Sequence, residues 1–396
     1  MYEMLKPPTT DAILEIALAY RRDARRNKID LGIGVYKDAY GQTPVMQAVH
    51  TAEMQLVHAR ESKAYLTFAG DETFNAQMLT LTLGDAIDAS RTRAIQTPGG
   101  GGAVRLLFEL VKKASPDATV WISDPTWINH VPIVEAVGLK HRTYAYLDRE
   151  TQSVDIEAML VDLEQTKHGD IVLLHGCCHN PTGVDLSMNQ WQAVADVLAR
   201  KGLVPFVDMA YQGFGDGLDE DAGGVRLLAA QLPEVLIAAS CSKNFGLYRD
   251  RVGIAAVVAS SAEHADRARA NLLALARVNY SFPPHHGAAI VGRILSVPEL
   301  RQVWESELEQ MQHRIGGNRI QLASRLTALL GSQRFDFVAR QRGMFSLLGL
   351  THSQIATLRE EHAVYMPGDG RLNFAGLFDS NVQDVANAIV AVLGQS

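Results

Sequence analysis

The strongest constraint on the fold of this chain is the alternation of apolar strands with helices through its middle. Strand-like runs begin near Val120, Ile171, Leu203 and Val235, and helical patterns such as 190–200 lie between them. This order predicts an α/β fold with a mostly parallel sheet and helices on both faces. At 396 residues the chain exceeds what one core usually supports, so we expect two domains.

The predicted domains are a large central one and a smaller one built from both chain ends. Residues 1–41 would form an N-terminal arm and the first part of the smaller domain, 42–312 the large domain, and 313–396 the remainder of the smaller one. From Pro298 to about Leu330 the pattern predicts one long helix, with a possible break at Gly316-Gly317 because glycine disfavours helix.

Charge and composition exclude several functions. The net charge of −7 and the absence of a basic block argue against nucleic acid and anionic membranes as partners. No apolar run reaches the roughly 20 residues of a membrane span, and no secretion signal is recognisable, so we expect a cytoplasmic protein. The cysteines, including the adjacent Cys177 and Cys178, lack zinc-binding spacing, and the pair His175/His179 lacks further ligands, so no metal site is predicted.

Two motifs in the first half of the chain follow strands, where α/β sheets bind ligands. Residues 97–105 hold four glycines before a helix, so the backbone can approach an anion at the helix N-terminus. A plain turn is the alternative, and a nucleotide loop is possible although the P-loop Gly-Lys-Ser/Thr is missing. In 124–130, Trp127 suits stacking on a flat heteroaromatic ring and His130 suits a carboxylate partner; a packed core tryptophan is the alternative.

Three further motifs add polar groups. The turn 179–183 offers the amide of Asn180 to a ring oxygen or a carboxylate. Asp208 closes an apolar strand, where a buried carboxylate needs a partner such as a protonated pyridinium nitrogen. Tyr211 follows three residues later and suits the phenolic oxygen of the same ring. Arg371 suits a carboxylate through two parallel hydrogen bonds, unless it is a surface arginine.

A single lysine, Lys243, lies in a turn of small residues directly after an apolar strand. Burial in such a turn favours the neutral amine, which forms a Schiff base with a carbonyl. Ser240 and Arg251, three residues before it and eight after, are the types that hold a phosphate. This combination indicates pyridoxal phosphate (PLP), and a surface lysine is the alternative. Asn180 and Asp208 precede Lys243 at intervals of 28 and 35 residues, about one strand–helix unit each, which favours one shared site.

The order of these motifs resembles the class I, fold-type I PLP-dependent aminotransferases, specifically their aspartate/aromatic branch. The resemblance runs from about Leu5 to Leu393, and its most specific stretches are 175–183, 210–214 and 240–253. It implies a large PLP-binding domain with a seven-stranded, mostly parallel sheet flanked by helices, and a smaller α+β domain.

The resemblance also assigns residue roles. The implied catalytic residues are Lys243, which would bind PLP and shuttle a proton, Asp208, which would pair with the pyridine nitrogen, and Tyr211. The remaining cofactor contacts implied are His130, Asn180, Trp127, Ser240, Arg251, Tyr65, and the backbone of Gly100 and Gly101. The implied substrate contacts are Arg371, Asn180, Trp127, the backbone of Gly34, and Arg277.

Two of these residues cross to the neighbouring subunit in the family, which implies a homodimer with shared active sites. Tyr65 would reach the partner's phosphate, and Arg277 would bind the side-chain carboxylate of a dicarboxylic substrate. This chain also departs from the family pattern. Gly101 replaces a hydroxyl residue, and Phe282 and Ala69 replace polar residues expected at the pocket mouth, which favours a broader substrate range.

The resulting prediction is a transaminase that moves the amino group of aromatic amino acids, and of aspartate, to 2-oxoglutarate by a ping-pong mechanism. A strict aspartate aminotransferase is the alternative. A different PLP reaction on the same scaffold, such as β-elimination or β-decarboxylation, is a further one. A regulator with an aminotransferase-like domain would need a DNA-binding module, for which we expect no room before the matching region.

Overall fold

The computed structural model describes residues 2–5, 12–60 and 62–394. Its α-helices are, in chain order, α1 (Ala12–Arg22), α2 (Gln47–Ala59), α3 (Glu72–Leu83), α4 (Gly99–Ala114), α5 (His130–Val137), α6 (Ile156–Leu163), α7 (Met188–Lys201), α8 (Gly223–Gln231), α9 (Ala262–Asn279), α10 (His285–Ser296), α11 (Pro298–Leu330), α12 (Phe337–Arg340), α13 (His352–Glu360) and α14 (Val382–Leu393). Its strands are β1 (Ile29–Asp30), β2 (Thr92–Pro98), β3 (Thr119–Asp124), β4 (Lys140–Ala145), β5 (Leu147–Asp148), β6 (Ser153–Val154), β7 (Ile171–His175), β8 (Val204–Met209), β9 (Val235–Ser240), β10 (Val252–Val258), β11 (Phe345–Leu347), β12 (Val364–Tyr365) and β13 (Arg371–Asn373).

The central element is a seven-stranded sheet with the order β2-β10-β9-β8-β7-β3-β4. The pairs from β9 through β8, β7 and β3 to β4 are parallel, whereas β10 is antiparallel to both of its neighbours. The predicted α/β fold with a mostly parallel sheet is therefore confirmed, and the strand predicted near Gly253 is its antiparallel member.

Both faces of this sheet are buried. Along β3, Val120 and Ile122 belong to one core cluster while Trp121 belongs to the other. Along β8, Phe206 and Val207 divide in the same way. One cluster contains residues of α4 and α9, and the other contains residues of α7, α8 and α10. This alternation explains why the central strands β7, β8 and β9 read as largely apolar runs, since they are buried on both sides.

A smaller unit joins the two ends of the chain. Strand β1 pairs in parallel with β12, and β11 pairs with β13 in an antiparallel ladder. The predicted α+β unit from both chain ends is thus present. The predicted domain limits stay a prediction, and the limit at 312/313 falls inside α11.

The predicted break in the long helix is wrong, because α11 is continuous from Pro298 to Leu330. Met311 and Ile315 before the glycine pair, and Leu322 after it, are buried in the core. Packing of this face compensates for the poor helix propensity of the two glycines. Neither α11 nor any other helix of the described residues combines the length and apolarity that crossing a membrane requires.

The glycine pair in α11 generates a stability prediction. A methyl group on Gly316 or Gly317 would meet no atom within 4 Å. We therefore expect Gly316→Ala and Gly317→Ala each to raise the free energy of unfolding by roughly 0.5–1 kcal/mol, because alanine loses less backbone entropy in a helix. Thermal and denaturant unfolding would measure this change.

The matched control is Gly224→Ala in α8, where an added Cβ would lie 2.2 Å from Trp191 Cε2. This variant should be destabilised although its site is also helical. A lower unfolding free energy for both α11 variants would contradict the prediction, because it would show that the helix needs glycine at these positions although a methyl group fits there.

Candidate active site

The carboxyl ends of three adjacent strands bring the predicted polar residues together. Asn180 follows β7, Asp208 lies near the end of β8, and Lys243 follows β9; these strands are neighbours in the sheet. The charge of Lys243 acts on Asp208, and the Lys243 amine lies 4.8 Å from the centre of the Tyr211 ring. The predicted shared site is therefore a single cluster at this edge of the sheet.

The carboxylate of Asp208 is held by His130, which begins α5. Asp208 is 7% exposed and His130 is fully buried, and His130 Nε2 lies 3.1 Å from Asp208 Oδ2. Burial alone would raise the pKa of Asp208, but the His130 hydrogen bond and the nearby His130, His175 and Lys243 outweigh it, so this pKa lies below its ordinary value. Asp208 is thus ionised at neutral pH, and His130 Nε2 donates to it.

Behind this pair lies a hydrogen-bonded network that the sequence analysis missed. Thr126 Oγ1 lies 2.7 Å from His130 Nδ1 and 3.2 Å from His175 Nε2, and the centres of the His175 and His179 rings are 4.0 Å apart with the planes tilted by 40°. Burial and the neighbouring His130 lower the pKa of His175 to about 3, and burial lowers the pKa of His179 as well. Both rings are therefore neutral at pH 7. The spacing of Thr126 four residues before His130 was the available signal.

The Lys243 amine is a weaker base than an ordinary lysine. Its pKa is lowered from 10.5 to about 8: burial is the main cause, the charge of Asp208 opposes it, and the positive charges of Arg251 and Arg371 add to it. Tyr211 is buried next to it, and this burial raises the pKa of its hydroxyl. Tyr211 therefore keeps its proton and remains a hydrogen-bond donor at neutral pH.

An anion cradle forms at the start of α4. A Cβ on Gly99 would lie 2.6 Å from Arg251 Nη2, and one on Gly100 would lie 2.8 Å from Ser240 Cβ. Only glycine therefore permits this approach, which places free backbone N–H groups beside a cation and a hydroxyl. Gly101 lies in the same turn, where an added Cβ would be 3.9 Å from the Trp127 ring.

Arg371, in β13, is buried and anchored from two sides. Its Nη1 donates to Asn180 Oδ1 and its Nη2 donates to Gly32 O, both at 3.1 Å. The Phe345 ring lies 4.2 Å from the guanidinium carbon, and a Cβ on Gly34 would lie 3.0 Å from Phe345 Cζ. Phe345 was missed by the sequence analysis, because no local pattern indicates that its ring packs against a residue 26 positions later.

Comparison with known proteins identifies the family. The sequence profile of aminotransferase class I and II matches residues 26–389. The chain belongs to this family. It is 50% identical over 388 residues to an aromatic-amino-acid aminotransferase of Paracoccus denitrificans, covering 98% of both chains. It is 46% identical to an aspartate aminotransferase of Salmonella typhi, covering 99% of this chain and all of that one.

A solved structure is similarly close. The aromatic-amino-acid aminotransferase from Burkholderia pseudomallei, covalently bound to pyridoxal phosphate, superposes with a TM-score of 0.97 at 41% identity, covering 99% of each chain. The family resemblance and the fold expected from it are confirmed. The individual roles assigned to the site residues stay predictions.

Two predicted residues of this aminotransferase lie outside the cluster. Tyr65 is 83% exposed and stacks on Phe282, with ring centres 4.6 Å apart and an interplanar angle of 15°. Arg277 is exposed, donates to Ser281 Oγ, and lies 5.0 Å from the centre of the Phe68 ring. Their roles in the partner's active site stay predictions, with exposed positions that leave both available to a second subunit.

The expectation that Ala69 makes the pocket mouth less polar is wrong. Ala69 is 1% exposed, and its carbonyl accepts hydrogen bonds from Gln96 N and Asn75 Nδ2, both at 2.9 Å. It is a core residue, because its side chain is buried in one of the two apolar clusters. Only Phe282 of this pair lies beside a predicted site residue.

The lowered pKa of Lys243 predicts its reactivity in the cofactor-free aminotransferase. A short aldehyde followed by borohydride should label Lys243 with a midpoint near pH 8, since only the neutral amine attacks a carbonyl. Because the charge of Asp208 raises this pKa, Asp208→Asn should move the midpoint to lower pH. Peptide mass spectrometry would measure both curves. A Lys243 midpoint that coincides with those of the surface lysines would contradict the assignment.

Proposed function

We propose that this chain is a PLP-dependent transaminase that moves the amino group of aromatic amino acids, and of aspartate, to 2-oxoglutarate. The observation that carries the proposal is the meeting of Lys243, the Asp208–His130 pair and Arg371 at one edge of the sheet. A weakly basic amine, a fixed carboxylate and a guanidinium are the groups that amino-group transfer needs. The aromatic and aspartate aminotransferases among the relatives support this reading.

The residues of the site fit PLP. The cradle at Gly99 and Gly100, closed by Ser240 and Arg251, suits a phosphate because an added Cβ would fill it. Asp208, buried and ionised, suits a protonated ring nitrogen. When bound there, PLP would supply an electron sink for the negative charge that develops at the substrate's Cα.

Each polar residue then has a role of its own. Asp208 would keep the ring nitrogen protonated, and His130 holds the carboxylate in place through its hydrogen bond. Tyr211 and Asn180 would donate to the ring oxygen, and Trp127 would cover the ring face. Lys243 is partly neutral near pH 8, so its Nζ could accept a proton from the substrate's Cα and return one.

Arg371 would bind the α-carboxylate of every substrate. Its two terminal nitrogens are turned by Asn180 and Gly32, so the guanidinium has one fixed orientation. A fixed planar fork binds a carboxylate through two parallel hydrogen bonds. The backbone at Gly34, which packs against Phe345, and the Trp127 side chain would complete this part of the pocket.

We propose a homodimer in which Tyr65 and Arg277 complete the partner's site. Both side chains are exposed in the single chain. Tyr65, Phe68 and Phe282 form one aromatic cluster, and Arg277 rests on the Phe68 ring of that cluster. Arg277 would bind the side-chain carboxylate of aspartate or 2-oxoglutarate.

The same cluster supports an aromatic range of donors. Within the described part of the chain, the side chain of Arg277 donates to Ser281 Oγ and rests on the Phe68 ring, and no carboxylate holds it. Displacing the Arg277 side chain for an aromatic one would therefore break few interactions, and Phe282, which packs on Phe68, extends the apolar surface there. Strict aspartate specificity remains the alternative, since Arg277 alone accounts for dicarboxylates.

Single-turnover spectroscopy tests the proposed substrate range. The purified holoenzyme, mixed separately with phenylalanine, tyrosine, aspartate and glutamate, should lose the absorption of the pyridoxal form at comparable rates for aromatic and acidic donors. Reaction with no oxo acid present is the expected first half of a ping-pong cycle. A kcat/KM ratio of phenylalanine to aspartate below about one in a thousand, or ~4 kcal/mol, would leave only the aspartate assignment.

Hybrid dimers test whether the sites are shared. Lys243→Ala should abolish turnover. Arg277→Ala should weaken the binding of aspartate by roughly 2–5 kcal/mol, and so lower its turnover, because the distal carboxylate loses its partner. Mixing the two variants under subunit exchange should restore aspartate turnover to about a quarter of the wild-type value, since half of the dimers would carry one complete site. Unmixed variants are the control. No recovery on verified exchange would mean that Arg277 and Lys243 serve the same subunit.

A further inference from the structure

A buried arginine outside the proposed catalytic cluster is bound almost entirely to backbone oxygens. Arg319, in the middle of α11, is 2% exposed. Its guanidinium donates to the carbonyls of Val338, Arg342, Gly343 and Phe345, and to Ser346 Oγ. Within residues 12–60 and 62–394 no carboxylate forms an ion pair with it.

A buried cation with no carboxylate in direct contact is costly, so its oxygen partners must compensate for lost hydration, with Asp185 acting only through its charge. Burial lowers the pKa of Arg319 to about 9, and the Phe374 ring lies 4.1 Å from its guanidinium carbon. A well-packed apolar side chain would avoid this cost. What distinguishes Arg319 from an apolar residue at this position is therefore the set of carbonyls that it binds. All of them belong to the segment 338–346, which ends in β11.

The segment held by Arg319 is hydrogen-bonded to the turn that carries Asn180. Arg342 N donates to Gly183 O at 2.7 Å. A Cβ on Gly183 would lie 2.2 Å from Phe345 O and 3.1 Å from Arg319 Nη2. Gly183 also has a φ of +70°, which favours glycine. The backbone of the turn thus touches both Arg319 and the segment that Arg319 fixes.

The two elements joined in this way both contact Arg371. Phe345 presents its ring to one face of the Arg371 guanidinium at 4.2 Å, and β11 pairs with β13 so that Leu347 lies opposite Arg371. Asn180, in the turn that binds this segment, accepts a hydrogen bond from Arg371 Nη1. A shift of the 338–346 segment would therefore move the ring, the amide and the strand that orient Arg371 together.

We propose that Arg319 is a positioning residue for the α-carboxylate site, acting through Phe345 and Asn180 on Arg371. The proposal rests on the proposed function, in which Arg371 binds the α-carboxylate. It makes Arg319 a determinant of carboxylate affinity rather than of the chemical step, because it touches neither Lys243 nor Asp208. A lysine could not replace it, since an ammonium lacks the planar fork that reaches several carbonyls at once.

The test uses the holoenzyme and two carboxylates that carry no amino group, 3-phenylpropanoate and succinate. Their dissociation constants are read from the absorption of bound PLP, and kcat, KM and the thermal midpoint are measured alongside. For Arg319→Lys we expect both dissociation constants, and KM for phenylalanine and aspartate, to rise about tenfold, roughly one charge-assisted hydrogen bond. We expect kcat to change less than about threefold, and the spectrum without ligand to stay unchanged.

A matched control lies on the same helix. Arg314 also donates to backbone carbonyls, those of Asp38, Ala375 and Leu377, whereas the oxygens to which Arg371 donates belong to Asn180 and Gly32. Arg314→Lys should lower the thermal midpoint without changing the carboxylate dissociation constants. Should it weaken carboxylate binding as much as Arg319→Lys does, general loosening of α11 would be the cause and the proposal would be overturned.

Two further variants keep the outcomes separate. Phe345→Leu removes the ring beneath Arg371 while preserving apolar volume, and it should weaken both carboxylates even if an Arg319 variant folds poorly. Arg371→Lys is the reference: if it leaves both dissociation constants unchanged, the proposed α-carboxylate site itself is wrong. If Arg371→Lys weakens binding but Arg319→Lys and Phe345→Leu lower only the thermal midpoint, Arg319 is merely structural and this inference alone fails.

Discussion

The interaction on which the site depends is the hydrogen bond from His130 to the buried carboxylate of Asp208. An ionised carboxylate at the end of β8 would be unfavourable without it, since burial alone raises the pKa of Asp208. The bond ties the start of α5 to the centre of the sheet, and Thr126 and the neutral His175 support it from behind. The negative charge fixed in this way also acts on Lys243, because Asp208 opposes the larger effect of burial on the pKa of that amine. One buried ion thus keeps Lys243 more basic than burial alone would leave it.

The second constraint is that the proposed substrate side of the site comes from the other end of the chain. Arg371 belongs to β13, yet its anchors are Gly32 near the N-terminus and Asn180 in the middle of the chain. The pairing of β1 with β12 brings these distant segments to one place. If Arg371 binds a carboxylate as proposed, its affinity would depend on how the smaller unit sits against the sheet, whereas Asp208 lies in β8 and Lys243 directly follows β9.

Much of the site could be predicted from sequence because its residues lie at strand ends. Asn180, Asp208 and Lys243 end three parallel neighbours, and parallel strands bring their carboxyl ends to one edge. Phe345 and Arg319 could not be predicted in this way, because they act through rings and carbonyls that meet only after folding. Local rules also misled: Gly316-Gly317 does not break α11, since buried neighbours stabilise the helix, and Ala69 lies in the core although it was expected at the pocket mouth.

The aromatic cluster at the exposed surface links the two contacts proposed with the partner subunit, that of Tyr65 with the phosphate and that of Arg277 with the distal carboxylate. Tyr65 stacks on Phe282, Phe282 contacts Phe68 at 4.9 Å, and Arg277 rests on Phe68. If both polar residues serve the partner subunit, the phosphate contact and the distal-carboxylate contact are carried by one packed unit. A polar residue in place of Phe282 would then change both, because it would remove the stacking surface of Tyr65 and offer Arg277 a hydrogen-bond partner. The broad substrate range proposed for this chain would accordingly be a property of how Arg277 is held, by a ring face and one hydroxyl, and not of the guanidinium itself.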